Sequence, residues 1–326
     1  MTMIQRRLLL TGAAASLAIA SFPARAAYPD KPVRLIVPWA PGGSTDAIAR
    51  AMAQRMGETL GQTVLVDNRP GAAGQIGTDA AAKAAPDGYT LTIVELPHAI
   101  APAVVTKLPY DLLRDFTPVT MIGTSPLILF ASMGAESVDF KTYLRDAKAR
   151  AAAPSLAHSG SGTVSHLAGE LLAERTGVKF NMIPYRGSAP ALTDVAAGTV
   201  SGHFATMASG ASLLSAGKIR ALVVTSAQRM GLPALKNVPT LAEEGIKGLE
   251  INQWWALVAP ATTPLPVIDR LRADALAALA HPGVKERLSS LGIDLKGSSR
   301  DELRSFMRAE AERWQAVARR IGLQPQ

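Results

Sequence analysis

The chain of 326 residues contains no cysteine, which excludes disulfides, thiolate metal ligands and cysteine nucleophiles at once. Aromatic residues make up only 5 % of it, and its lysines and arginines are scattered. A nucleic-acid surface, which needs clustered basic residues interleaved with stacking rings, is therefore not expected. Histidine is scarce as well. His98, His158, His166, His203 and His281 are the five, none stands in an H-E-x-x-H pattern, and no metal site is expected. Ser161 lies directly between Gly160 and Gly162, but a nucleophile elbow needs a glycine two residues away on each side, and Ser159 breaks that pattern. No enzyme, catalytic residue or cofactor is expected from these absences.

A secretory signal is present. Arg6 and Arg7 precede an apolar stretch from Leu8 to Ala20, and Ala24-Arg25-Ala26 supplies a small-x-small cleavage site. The apolar stretch is shorter than the roughly 20 residues that span a bilayer, so residues 1–26 read as a cleaved signal peptide, not an anchor. Gln5-Arg6-Arg7-Leu8 also fits a twin-arginine signal. The expected destination is the periplasm, by the Sec or the twin-arginine route. The formal charge of +8 includes three arginines of the signal. The remaining modest basic excess suits attraction of an anionic solute.

About 300 mature residues exceed one comfortable core and favour two domains. Short β-rich runs alternate with helical stretches, as in doubly wound α/β sheets with parallel strands. Val33–Val37 predicts a strand, and a helix follows from Ser44 or Thr45 to Leu60, with Ile48, Met52, Met56 and Leu60 on one face and Gly61 as its stop. Strands are predicted near Thr63–Val66, Tyr89–Val94, Leu127–Ala131, Phe180–Pro184, Arg220–Thr225 and Trp254–Ala259. Two long helices close the chain, over Pro266–Leu288 and Ser299–Ile321, the second opened by a Ser299/Glu302 capping box. No flexible linker stands out. The boundary is placed at two chain crossings near residues 126 and 252, giving domain 1 as 27–125 plus 253–326 and domain 2 as 126–252. Two crossings suit a hinged clam-shell.

Three glycine-rich loops, Ala40–Asp46, Pro70–Gly77 and Ser159–Thr163, each follow a predicted strand and open a predicted helix. Such loops lie at the carboxyl ends of strands, where small residues let an anion approach helix N–H groups. Asp46 would repel an anion there, so it is assigned to holding the loop. Trp39 either packs inward or walls the ligand. His166 packs on its helix, locks the adjoining loop, or reaches the ligand. Gly71-x-x-Gly74-x-x-Gly77 with Glu95 beyond it invites a rival reading as an exported dinucleotide-dependent oxidoreductase. The dinucleotide fingerprint, however, needs glycines at its first and third positions, and Ala73 stands at the third.

Longer stretches resemble a known family. They include Pro32-Val33-Arg34-Leu35-Ile36-Val37-Pro38, Ala40-Pro41-Gly42-Gly43 with Asp46, and Asp67-Asn68-Arg69-Pro70-Gly71-Ala72-Ala73-Gly74-Gln75-Ile76-Gly77. Pro86-Asp87-Gly88-Tyr89-Thr90-Leu91, Ser161-Gly162-Thr163 with His166, Pro184-Tyr185-Arg186-Gly187 and Val238-Pro239-Thr240 follow in order. On these residues the chain resembles the Bug-type extracytoplasmic solute receptors of tripartite tricarboxylate transporters. The resemblance implies a type II periplasmic-binding-protein clam-shell of two Rossmann-like domains, with a small carboxylate held between them and delivered to the membrane components of the transporter. It implies ligand contacts from Trp39, Ser44, Thr45, Ala73 and Gly74 on one side. Ser159, Ser161, Thr163, Tyr185, Gly187 and Ser188 would supply the other side, and His98, in a loop after its strand, is a further candidate. Such receptors are expected to be monomers, and a sensor that hands its ligand to a signalling partner is the alternative use. Ser201 and Ala205 stand where the family often has acids, so less is available to hold an ammonium group. The expected ligand is an acid without an amine, aromatic or dicarboxylic.

Overall fold

A computed structural model describes residues 28–322, so the predicted signal peptide lies outside the described residues. The chain divides at Asp30, and the part from Lys31 onward is one compact unit, which is the subject here. In chain order its elements are β1 (Val33–Val37), α1 (Ser44–Leu60), β2 (Val64–Asn68), α2 (Gln75–Ala82), β3 (Thr90–Glu95), α3 (Leu96–Val104) and β4 (Phe116–Pro126). There follow β5 (Ile128–Ser132), α4 (Phe140–Ala149), β6 (Ser155–His158), α5 (Val164–Thr176), β7 (Asn181–Pro184), α6 (Ser188–Ala196), β8 (Gly202–Ala205), α7 (Met207–Ser215) and β9 (Ile219–Val224). The chain then runs through β10 (Asn252–Pro260), α8 (Leu265–Ala280), α9 (Pro282–Ser290), β11 (Asp294–Leu295) and α10 (Arg300–Arg320).

Two sheets result, with orders β11-β4-β10-β3-β1-β2 and β7-β6-β8-β5-β9. Both are mixed. β1 is parallel to β2 and β3, but β10 is antiparallel to β3 and to β4. In the second sheet β6 is parallel to β7 and β8, whereas β5 is antiparallel to β8 and β9. The departure from all-parallel sheets has a topological cause. β4 leaves the first sheet on the side where β1 and β3 end, and a strand that comes back from the second sheet must re-enter from that side. It therefore runs against its neighbours.

The core follows from the apolar periodicity. Ile48, Met52, Met56 and Leu60 bury one face of α1, which stops at Gly61 in the left-handed conformation. Trp254 and Trp255 of β10 are fully buried. The indole N–H of Trp254 and that of Trp314 on α10 both donate to Oε2 of Glu310, at 3.0 and 2.9 Å, so α10 is fixed to the sheet by hydrogen bonds as well as by packing. The two chain crossings meet at Thr225. Its hydroxyl donates to the Ile251 carbonyl at 2.7 Å and accepts from the Leu127 N–H at 2.9 Å, and its own N–H donates to the Leu127 carbonyl at 2.9 Å.

Two predicted elements change. The single helix over Pro266–Leu288 is two helices, because His281 precedes Pro282 and takes an extended conformation with ψ 129°. His98 lies in helix α3, not in a loop. Pro97 at the start of α3 is compatible with a first helical turn, where the missing N–H is not needed.

Candidate ligand-binding site

Helix ends define the site. Helices α1, α5, α6 and α7 all begin at one cavity between the sheets, and Gly43, Ser44, Thr163, Val164, Ser188 and Thr206 of their first turns line it. In none of these four helices does the N-cap residue's own side chain bond the first turn. Their leading N–H groups and the positive ends of their dipoles therefore converge on the cavity. Among the described residues no lysine or arginine lines it, and the one carboxyl side chain is Glu95. The empty space, counted out through its open mouth, is about 570 Å³.

The rims of the cavity touch. The Ser44 N–H donates across it to Ser209 Oγ at 3.2 Å. Gly162, with φ 75°, faces Val104 of α3 so closely that a Cβ on it would lie 2.3 Å from Val104 Cγ2. Only glycine permits both that backbone conformation and that approach.

On the second-sheet side, hydroxyls form an ordered chain. His203 Nδ1 lies 2.9 Å from the Ala157 carbonyl, so this nitrogen carries the proton and donates. Nε2 must then accept, and Ser188 Oγ donates to it at 3.2 Å. Ser159 Oγ in turn donates to Ser188 Oγ at 2.9 Å. Burial pushes His203 down to about 4, so the ring is neutral near pH 7 and the direction of the chain is fixed. Ser159 heads it, and its proton alone can turn to a ligand oxygen without breaking the histidine bond. Thr163 Oγ1 donates to the Gly160 carbonyl at 2.7 Å and holds the 159–163 loop in shape.

On the first-sheet side the floor is a buried network. Trp255 Nε1 donates to Thr45 Oγ1 at 3.1 Å, which leaves the Thr45 hydroxyl to donate to Glu95 Oε1 at 2.9 Å. Gln253 Nε2 donates to Glu95 Oε2. Burial pushes the Glu95 carboxyl up to about 8, against the opposing hydrogen bond from Thr45. Glu95 and Gln253 are 3 % and 4 % exposed, and both line the cavity.

Of the residues singled out in the sequence, Trp39, Ser44, Thr45, Ser159, Thr163, Gly187 and Ser188 line the cavity. The others stand outside its lining. Ser161 is exposed on the rim, and Tyr185 donates to Asp194 Oδ2 at 2.6 Å. Gly74 packs against Trp39 and His98, and Ala73 faces Gly160. His98 Nδ1 accepts from the Glu95 N–H at 3.0 Å, so Nε2 carries the proton and donates to Thr78 Oγ1 at 2.8 Å. His98 thus ties α3 to α2 and leaves no donor for a ligand. The Gly71–Gly77 loop is filled by these contacts, and Gly77 sits where a Cβ would meet the Arg69 carbonyl at 2.7 Å. No pyrophosphate-binding turn is formed there.

The Asp46 carboxylate accepts from the Gly42 N–H, from Asn68 Nδ2 and from Arg50. Burial works against its ionisation, but these hydrogen bonds together hold it below the usual range. His166 Nδ1 accepts from the Gly162 N–H at 3.2 Å, and its ring stacks on His158 with centroids 4.4 Å apart. Glu95, Gln253, Phe204, Thr206 and Ser209 line the cavity without having been singled out as ligand contacts. Glu95 did carry a signal, as a carboxyl at the end of an otherwise apolar strand.

Residues 48–323 match the family described as the tripartite tricarboxylate transporter family receptor. The chain belongs to that family. Among solved structures it is similar to the periplasmic binding protein BugD, at 34 % identity and a TM-score of 0.88, covering 92 % of this chain and 100 % of that one. It is also similar to Rpa4515 of R. palustris with adipate, at 34 % identity and a TM-score of 0.87, covering 92 % and 100 %. MatC of Rhodopseudomonas palustris with bound malate matches at 32 % identity and a TM-score of 0.84, over 89 % and 99 %. The chain therefore has the two-domain periplasmic-binding-protein fold of this family, whose members include carboxylate-bound receptors.

Proposed function

We propose that this chain is a periplasmic receptor that binds a small organic carboxylate between its two lobes and delivers it to a tripartite tricarboxylate-type transporter, without chemical change to the ligand. The carrying observation is the meeting of four uncapped helix N-termini at a cavity without lysine or arginine. Such a site offers an anion several oriented N–H groups, and the one carboxylate in their first turns, Asp46 of α1, is engaged by Gly42, Asn68 and Arg50. The lobes are taken as 27–125 with 253–326, and 126–252, in line with the crossings that Thr225 joins. Ser44, Thr163, Gly187, Ser188 and Ser159 surround the ligand carboxylate, and Trp39 walls the cavity. Adipate and malate in the related receptors support a carboxylate as ligand. Ligand favours the closed arrangement because only there do both sets of helix ends reach it.

A thermal-shift screen of the mature protein against mono-, di- and tricarboxylates, amino acids and dinucleotides tests this reading. A ligand at 100 times its Kd adds about 2.7 kcal/mol, which raises Tm on the order of 5 °C. A shift with a carboxylate is the expected result. A shift with a dinucleotide alone would transfer the chain to the oxidoreductase class.

A further inference from the structure

The floor of the cavity holds polar atoms that the protein leaves unpaired. Trp39 Nε1 and Gln253 Oε1 are both buried without a hydrogen-bond partner, and both residues line the cavity beside Glu95. Buried polar groups are almost always paired, so two orphans on one wall call for a ligand. Trp39 Nε1 lies near enough to Glu95 to favour its ionised form as a hydrogen-bond donor does, but falls outside direct hydrogen-bond geometry. Its N–H is thus available to an acceptor oxygen that enters the cavity.

The protonation of Glu95 decides what kind of group that is. Glu95 accepts from the neutral donors Thr45 and Gln253 and closes a capping box with the backbone of α3. The groups facing it are Thr45 of α1, Trp39 beyond β1, Gln253 and Trp255 of β10, and His98 of α3. Of these only His98 titrates, and burial pushes it down to about 4, so no cation is present to hold a carboxylate. A buried carboxyl with no cation keeps its proton. With the Gln253 amide as placed, the Glu95 O–H and the Trp39 N–H are both unpaired donors. If the amide presents its other edge, its carbonyl takes the Glu95 proton, and its own NH₂ joins the Trp39 N–H as an unpaired donor. Either orientation leaves two unpaired donors at the floor of the cavity.

We propose that Glu95, as a neutral carboxylic acid, acts with Gln253 and Trp39 as a second subsite that receives an acceptor oxygen at the far end of the ligand, and so selects dicarboxylates over monocarboxylates and over amine-bearing acids. This inference rests on the receptor reading above. It places a carboxyl side chain opposite a carboxylate ligand, which works only while the side chain is uncharged. Affinity therefore stays level below the Glu95 transition and falls as pH rises through about 8.

The test is calorimetry on the mature protein with matched pairs, a dicarboxylate against the monocarboxylate of equal length and against its amino derivative. The expected result is at least a tenfold preference for the dicarboxylate, with affinity dropping from pH 7 to pH 9. Glu95→Leu removes the preference, and Glu95→Gln, which keeps a neutral donor, restores most of it and flattens the pH profile. Equal binding of mono- and dicarboxylate overturns the inference and leaves the receptor standing. So does tighter binding of the amino derivative that is lost in Glu95→Gln, since it would show an ionised Glu95 holding an ammonium. Binding of no carboxylate at all overturns the receptor reading and the inference with it.

Discussion

The four helices whose uncapped ends meet at the cavity begin differently from α4 and α10. α4 opens with Asp139, whose carboxylate accepts from the Thr142 N–H at 2.8 Å, and α10 opens with Ser299, paired reciprocally with Glu302. Each is a capping box that satisfies the helix's own leading N–H groups. α1, α5, α6 and α7 begin at Gly43, Thr163, Gly187 and Thr206 with no such side-chain bond. A missing cap costs a helix about 1 kcal/mol. α2, α8 and α9 lack a side-chain cap as well, but at the cavity four uncapped ends converge on one space where an anion can take the place of a cap.

This contrast can be broken by exchanging the two kinds of helix start. Thr206→Asp supplies α7 with its own carboxylate. The ligand-free protein keeps or gains stability, while affinity for a carboxylate falls on the order of 100-fold, about 2.7 kcal/mol; denaturation and calorimetry on the same preparation read both. Ser299→Ala does the reverse on the solvent side. It lowers stability by about 1 kcal/mol in urea unfolding and leaves affinity unchanged, because α10 starts far from the cavity lining. Thr163→Val has the smallest effect. It removes the hydroxyl that holds the 159–163 loop to Gly160, and titration is expected to show affinity down about three- to fivefold, on the order of 1 kcal/mol, with the fold intact. Unchanged binding in that variant would remove Thr163 from the site.

Much of the frame was legible in the sequence because it rests on short-range rules. The α1 stripe ending at Gly61, the Ser299/Glu302 box and the three small-residue loops need only periodicity and local backbone preference. What escaped depends on distant partners. β4 carries Pro118, Gly123 and Pro126, which punctuate a sequence like turns. Yet Gly123 is required because Asp294 of β11 passes so near that a Cβ would meet its carbonyl oxygen at 2.6 Å. β8, with four residues, is too short to show a period. The same holds for the site. The helix ends could be located, but the floor could not, since Glu95 and Gln253 come together only when β10 is laid beside β3. His98 illustrates the converse: it stands in sequence next to the site, and tertiary contacts with Thr78 turn it away.

Thr225 has a mechanical meaning beyond its hydrogen bonds. Both strands that link the lobes are fastened to this one buried residue, one at Leu127 and one at Ile251. Neither crossing can slide or twist without carrying the other. On the proposed division into lobes, the two links would act as a single axle about which one lobe turns against the other.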